Sequence, residues 1–266
     1  MVHSNLNRFF SCYLGQPLFF NFKMLSLHRE RIADIALTEI ENSIHSSPFS
    51  LSEEQKGLSI LVKNLTFQYD QFTQPILDNL NLEVNAGESI AISAKSGAGK
   101  TTLLKLMSGL LRPTKGEIYI NNIDIKNLDS SHYRQHIATV LQEDKFFSGS
   151  ILENIVCFDN QYDKEFAIQC AKQAQIHNEI MKMPMNYETL LGELGNNLSG
   201  GQRQRLFIAR ALYKRPKILF MDEATSHLDE ENERKINDAI AKLKITRVIV
   251  AHRQSTIESA DRCINL

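Results

Sequence analysis

The sequence predicts an α/β fold with a buried parallel sheet, on three observations. The apolar run Ser89 to Ser93 breaks into Ala94-Lys95-Ser96-Gly97-Ala98-Gly99-Lys100-Thr101-Thr102, and Leu103, Leu104, Leu106 and Met107 then follow at helical spacing. A second set of small residues, in Leu198-Ser199-Gly200-Gly201-Gln202, opens another helical pattern carrying Leu206, Ala209, Leu212 and Tyr213. Two continuous apolar runs, Ile218 to Met221 and Val248 to Ala251, end in Asp222-Glu223 and in His252. Strands covered on both faces read as unbroken apolar runs, and the functional groups of such sheets gather at their C-terminal ends.

With 266 residues, 42% hydrophobic and a formal charge of −1, the chain is long enough for one large α/β domain and a small appendage. The near-neutral balance gives no support to a nucleic-acid partner, and Arg203, Arg205, Arg210, Lys214, Arg215 and Lys217 read as a solvated helix face. Cys12, Cys157, Cys170 and Cys263 lack C-x-x-C spacing, which suggests neither zinc nor a disulfide framework. The appendage is residues 1–56. Its Phe9-Phe10, Leu18-Phe19-Phe20 and Phe22 are too interrupted to span a bilayer, and no signal peptide is recognised. An amphipathic helix is expected from Lys23 to Glu41, with Leu25, Ile32, Ile35 and Ala36 on its apolar side, followed by a linker through Ser46-Ser47-Pro48 and Ser50 to Gly57.

The domain opens near Leu58. Alternation predicts two strands, Leu58 to Val62 and Leu65 to Tyr69, separated at Lys63-Asn64, and a third over Leu80 to Val84. Asn85 to Glu88 turns the chain into the strand before the glycine-rich loop. Strand, glycine-rich loop and helix make a phosphate-binding loop. Gly97 and Gly99 allow successive N–H groups to face one anion at a helix N-terminus, Lys100 reaches the β- and γ-phosphates, and Thr101 offers its hydroxyl to Mg²⁺. Ala94 stands where G-x-x-x-x-G-K-[ST] has its first glycine, which is strained only if that position needs positive φ.

Beyond the loop helix, Glu117 to Ile120 alternates as a strand, Asn121-Asn122 is a turn, and Ile137 to Leu141 is strand-like and ends at Gln142. Gly149 to Lys182 reads as a helical insertion with Phe166, Ala167, Ala171 and Ala174 on one face. At Ser199 the small residues opening a helix make a second anion site, with a serine hydroxyl as an extra donor. Asp222, Glu223 and His252 can meet the phosphates of the first loop. Each also fits a structural role, the carboxylates as helix-capping charges and the imidazole as a hydrogen-bonded core group.

These motifs, in this order, resemble the ATP-binding domains of ABC transporters over about residues 58–266: the phosphate loop, Gln142, L-S-G-G-Q, the strand ending in Asp222-Glu223, S-H-L-D at 226–229, and His252. The resemblance implies a P-loop NTPase with a RecA-like core, an antiparallel β subdomain, and a helical subdomain at about 143–215 within a domain of 57–266. Thr139 to Asp144, Met183-Pro184-Met185, Ser226 to Asp229 and Ile245-Thr246-Arg247 look closer to exporters of colicin V-type bacteriocins. Leu27 to Thr38 looks like the junction between such an exporter's membrane domain and its ATPase. By this resemblance Tyr69 would stack on adenine, and Ser96, Gly97, Ala98, Gly99, Lys100, Thr101 and Thr102 would bind the phosphates. Asp222, Thr101 and Gln142 would serve Mg²⁺, Glu223 would be general base, Gln142 would touch the metal or the attacking water, and His252 would bind the γ-phosphate. Ser199, Gly200, Gly201, Gln202 and Asp229 would act on the nucleotide of a second copy, in a head-to-tail dimer. Glu193 would face the membrane domain.

The function implied is that of an ATP-binding and hydrolysing subunit energising export of a bacteriocin-like peptide, held at the cytoplasmic face of the inner membrane by a transmembrane partner and meeting the peptide only indirectly. The family's domain normally continues into another hairpin beyond the strand that ends here at Leu266, and its exporters carry six membrane helices, with a cysteine peptidase in the bacteriocin subset. Their lack in this sequence leads to the expectation of a truncated or split exporter gene, or of a separately encoded ATPase subunit. The alternatives are a catalytically weak nucleotide-binding remnant and a soluble ABC ATPase without a transport role.

Overall fold

The computed structural model describes residues 23–25, 28–33, 36–37, 55–70, 72, 74–95, 97–192, 195, 197–226, 228–251 and 253–266. The chain divides into two units, Met1–His45 and Ser46–Leu266. In the first, residues 23–25 and 28–33 are helical, and the apolar Leu25 and Ile32 are exposed rather than buried. Ile35 and most of the expected linker lie outside the described residues.

The second unit opens with a four-stranded sheet in the order β2-β1-β4-β5, made of β1 (Ile60–Phe67), β2 (Leu77–Val84), β4 (Lys115–Ile120) and β5 (Ile123–Asp124), all antiparallel. Where alternation predicted two strands, there is one. Asn64 takes φ 48°, donates its N–H to Asn81 Oδ1 at 2.9 Å, and shifts the register against both neighbours. This extra residue moves the buried set from Ile60 and Val62 to Leu65 and Phe67, so both halves keep their apolar side chains inward. The same device extends β2 to Leu77, earlier than its sequence pattern predicted. Asn79 at φ 50° interrupts the alternation between Leu77 and Leu82. The β4–β5 hairpin turns through Asn121 and Asn122 at φ 49° and 68°, the left-handed pair that asparagine tolerates.

The second sheet is parallel, ordered β11-β3-β10-β9-β6, from β3 (Ser89–Ser93), β6 (Ile137–Val140), β9 (Ile218–Asp222), β10 (Thr246–Val250) and β11 (Arg262–Asn265). β9 and β10 are buried along their whole length, as their unbroken apolar runs predicted. Their alternate residues divide between two cores. Ile218, Phe220, Val248 and Val250 pack with the antiparallel sheet and with Leu103, Leu104, Leu106 and Met107 of α1 (Lys100–Met107). Leu219, Met221 and Ile249 pack with the helical side, where α6 (Gly200–Tyr213) contributes Leu206, Ile208 and Leu212 and α7 (Glu230–Ala241) contributes Ile236 and Ile240.

Between β6 and α6 the expected helical stretch resolves into α3 (Ile151–Val156), α4 (Lys164–Gln173) and α5 (His177–Ile180), with the two-residue strands β7 (Gly149–Ser150) and β8 (Leu190–Leu191) pairing beside them. The short helix α2 (Ser130–Gln135) precedes β6, and α8 (Gln254–Glu258) precedes β11. Ala167, Ala171 and Ala174 lie fully buried on one face of α4 and its C-cap, with Phe166 packed against them. No helix among the described residues is long and apolar enough to cross a membrane.

Candidate active site

β3 delivers the chain into the glycine-rich loop, and Ala94 is not among the positions with positive φ. The alanine therefore carries no backbone strain. Gly97 and Gly99 do adopt left-handed conformations, at φ 81° and 87°, and a Cβ on Gly99 would fall 2.6 Å from Ile76 Cγ2. Lys100, at the first turn of α1 and 7% exposed, folds back across the loop and donates to the carbonyls of Ala94 at 2.9 Å and Lys95 at 3.1 Å. Ala98 N–H also donates to the Lys95 carbonyl, at 3.2 Å. Ser96 lies outside the described residues.

Thr101 Oγ1 donates to Asp222 Oδ2 at 2.6 Å, joining the start of α1 to the end of β9. Asp222 is 2% exposed, and burial raises its carboxyl above the ordinary range, opposed by the Thr101 hydrogen bond. The next residue, Glu223, takes φ 51°, and its N–H reaches the Val250 carbonyl at 3.2 Å. Tyr69, 60% exposed and edge-on to Phe67, shares a 3.2 Å hydrogen bond with the Thr102 hydroxyl.

A cavity of about 490 Å³ brings Gln142, Asp222, Glu223 and Gly200 to one surface. Gln204 closes its floor, donating to the Glu223 carbonyl at 3.2 Å and to Ser226 Oγ at 2.9 Å. The four groups come from sequence positions about eighty residues apart at their extremes, and the parallel order β6-β9 with α6 alongside is what gathers them. Ser199 caps α6 reciprocally with Gln202: its hydroxyl accepts from Gln202 N–H at 3.2 Å, and its own N–H donates to Gln202 Oε1 at 2.9 Å. Asp229 caps α7, accepting from Asn232 N at 2.9 Å and Nδ2 at 2.7 Å, hydrogen bonds that hold its carboxyl low. His252, Glu193 and His227 lie outside the described residues.

The basic stretch of α6 corrects an expectation. Arg205 is 7% exposed, and Arg210 is partly buried, its guanidinium 5.2–5.5 Å from the ring centroids of Phe146, Phe147 and Phe207. Both turn inward because carbonyls, a carboxylate and aromatic faces await them, which charge counting along a helix cannot register. Sequence reasoning also passed over Gln204 and Glu179. Gln204 sits within a motif already noticed, whereas Glu179 carries no local signal.

The donor set suits Mg²⁺. A hydroxyl and a carboxylate are hard oxygen ligands, few in number, as expected for an ion that keeps water and binds substrate phosphate. Among the described residues no group of three or more His, Cys, Asp or Glu side chains could hold a metal by itself.

Residues 77–226, more than half of the chain, match the family model described as ABC transporter. The chain belongs to the ABC transporter family. Its sheets, loop and helical segment are those of an ABC-type P-loop NTPase. It is 50% identical over 244 residues to a probable microcin-H47 secretion/processing ATP-binding protein of Escherichia coli, and equally so to the colicin V secretion/processing ATP-binding protein of the same organism. Each alignment covers 92% of this chain and 35% of the relative, so the chain spans about a third of these ABC proteins. A solved structure of a bacterial Atm1-family ABC exporter with ATP bound is similar with a TM-score of 0.81 and 32% identity, over 92% of this chain and 42% of that one.

Proposed function

We infer that this chain binds Mg-ATP and hydrolyses it as the ATP-binding part of an ABC exporter for a bacteriocin-like peptide. The observation that carries the reading is the Thr101–Asp222 hydrogen bond behind the Lys100 loop, with Gln142 and Glu223 opening on the same cavity as Asp222. The 50% identity to two bacteriocin secretion proteins supports the cargo class.

In this reading the loop N–H groups and Lys100 take the phosphates, and Tyr69 swings from Thr102 to present its ring to the adenine. Mg²⁺, when bound, neutralises phosphate charge. Thr101 and Asp222 would hold it, and Gln142, which lines the same cavity, would serve it or the attacking water. Glu223 accepts the proton of the attacking water. His252 contacts the γ-phosphate. Ser199, Gly200, Gly201 and Gln202 meet the nucleotide of a second copy, with Asp229 along the same interface. The Ser199 hydroxyl already accepts from Gln202 N–H, so its own proton is free to be donated outward. The ATP-binding domain is assigned to 57–266, with its helical part at about 143–215. A transmembrane partner holds it at the cytoplasmic face of the inner membrane.

Glu223→Gln tests the reading. The amide keeps size and hydrogen bonding but cannot take a proton at pH 7, so phosphate release falls by roughly 10²- to 10⁴-fold while ATP still binds. The variant accumulates as a dimer with Mg-ATP and not with Mg-ADP when sized by light scattering. A monomer in both conditions, despite bound ATP, overturns the two-chain site. Undiminished hydrolysis overturns the role of Glu223.

A further inference from the structure

The Ser199–Gly201 turn is pinned from behind by one carboxylate. Glu179, on α5, accepts from Gln202 Nε2 through Oε2 at 2.7 Å and pairs through Oε1 with Arg205 Nη2, also at 2.7 Å. Arg205 in turn donates from Nε to the Gly201 carbonyl at 3.2 Å and from Nη1 to the Gln175 carbonyl at 2.9 Å. Ile176 and Ile180, both fully buried, anchor α5, so the carboxylate projects from a fixed backbone.

Two consequences follow from the chemistry of these groups. A glutamine amide can present either its oxygen or its nitrogen to a neighbour. With Glu179 behind it, only the nitrogen suits the carboxylate, and Oε1 is directed to the Ser199 N–H. The reciprocal cap, and with it the direction of the Ser199 hydroxyl, is thereby held in one arrangement. The charge is managed as well. A lone carboxylate behind a turn that faces phosphate would oppose the anion, whereas the Glu179–Arg205 pair is neutral and leaves the positive end of α6 in force. The contact is charge-assisted and shielded on the arginine side, where the side chain is 8% exposed against 34% for Glu179.

We propose that Glu179 is a positioning residue that sets the Ser199–Gly201 turn for closure on the nucleotide held by a second copy. This rests on the two-chain reading given above. The test uses the full chain in the Glu223→Gln background, with dimer dissociation at saturating Mg-ATP followed by sedimentation and ATP affinity measured separately. Adding Glu179→Ala weakens the dimer at least tenfold and leaves ATP affinity within twofold. Glu179→Gln, which keeps the volume and loses the charge, weakens it at least threefold and decides the matter if the alanine variant melts early. In a Gln202→Ala background the Glu179→Ala effect is at least threefold smaller, because the Gln202 arm of the carboxylate is already gone and only its Arg205 arm is left to lose.

A generally structural role would instead lower the melting midpoint and add to the Gln202→Ala effect, and that result overturns the proposal. So does a Glu179→Gln dimer within twofold of its parent. Failure of Glu223→Gln itself to dimerise is a different result, and it removes the two-chain reading on which the proposal stands.

Discussion

Lys100 enters the reaction already engaged. Its ammonium is held by the Ala94 and Lys95 carbonyls, so an arriving phosphate exchanges one set of acceptors for a charged one. Lys100→Ala removes that charge-assisted contact and is expected to weaken ATP binding by roughly ten- to a hundredfold, for a contribution of about 1.5–3 kcal/mol. Nucleotide titration checks this, and unchanged affinity would contradict the assignment of the loop. Ala94→Gly should move affinity by less than about tenfold, since no positive φ awaits relief there. Asp222 works against the fold that holds it. Burial raises its carboxyl, so the folded protein takes up its proton more readily than the unfolded chain, and this contribution to stability fades as pH rises through the raised value. Near neutrality the buried charge is a cost. Asp222→Asn keeps an acceptor for Thr101 and should raise the nucleotide-free melting midpoint, by about 2–4 °C for each kcal/mol relieved, while abolishing Mg²⁺-dependent hydrolysis. A midpoint that falls instead would count against it. The meeting of Thr101 with Asp222 was legible because motif spacing is local; the contacts of Glu179 were not, because they depend on α5 packing beside α6.

Elements were legible where periodicity survives and obscure where a single residue resets it. The runs in β9 and β10 declared buried strands directly, whereas β1 looked like two because Asn64 shifts its phase. Nothing local distinguishes that bulge from a turn; it is the neighbouring strands, pairing on through it, that do. One glycine accommodates it. Gly116, at φ 84°, would place a Cβ 2.4 Å from the Asn64 carbonyl oxygen and 2.6 Å from that of Lys63. Gly116→Ala combines left-handed strain with a backbone clash, and should cost at least about 1–3 kcal/mol. Denaturant unfolding at an unchanged m-value is the measurement, and a loss below 0.5 kcal/mol, a threshold of about surface-substitution size, would mean the sheet edge yields. On α6, Arg210 donates to the carbonyls of Asn154 and Lys145 from among three aromatic rings. Arg210→Lys loses the planar fork that satisfies both carbonyls and should lower the midpoint while leaving ATP affinity unchanged, which calorimetry and titration together would check.

Across the whole second unit, the parallel sheet is the partition between two apolar cores, with β6, β9 and β10 contributing alternate residues to opposite sides. Single-sequence reading reached the sheet and the two glycine-rich helix starts, but not which helices share a core, because that depends on packing order rather than on any segment's pattern. A partition of this kind has a consequence for how the molecule breathes. Amides of Ile218–Asp222 and Thr246–Val250 are enclosed from both faces and paired on both edges, so they should exchange with solvent deuterium only through global opening. The Ser199 turn, exposed and capped by side chains, should exchange through local excursions. The reaction would then set a slow clock against a fast one: the carboxylate at the end of β9 is carried by the last part of the chain to open, and the turn that must find another copy by one of the first.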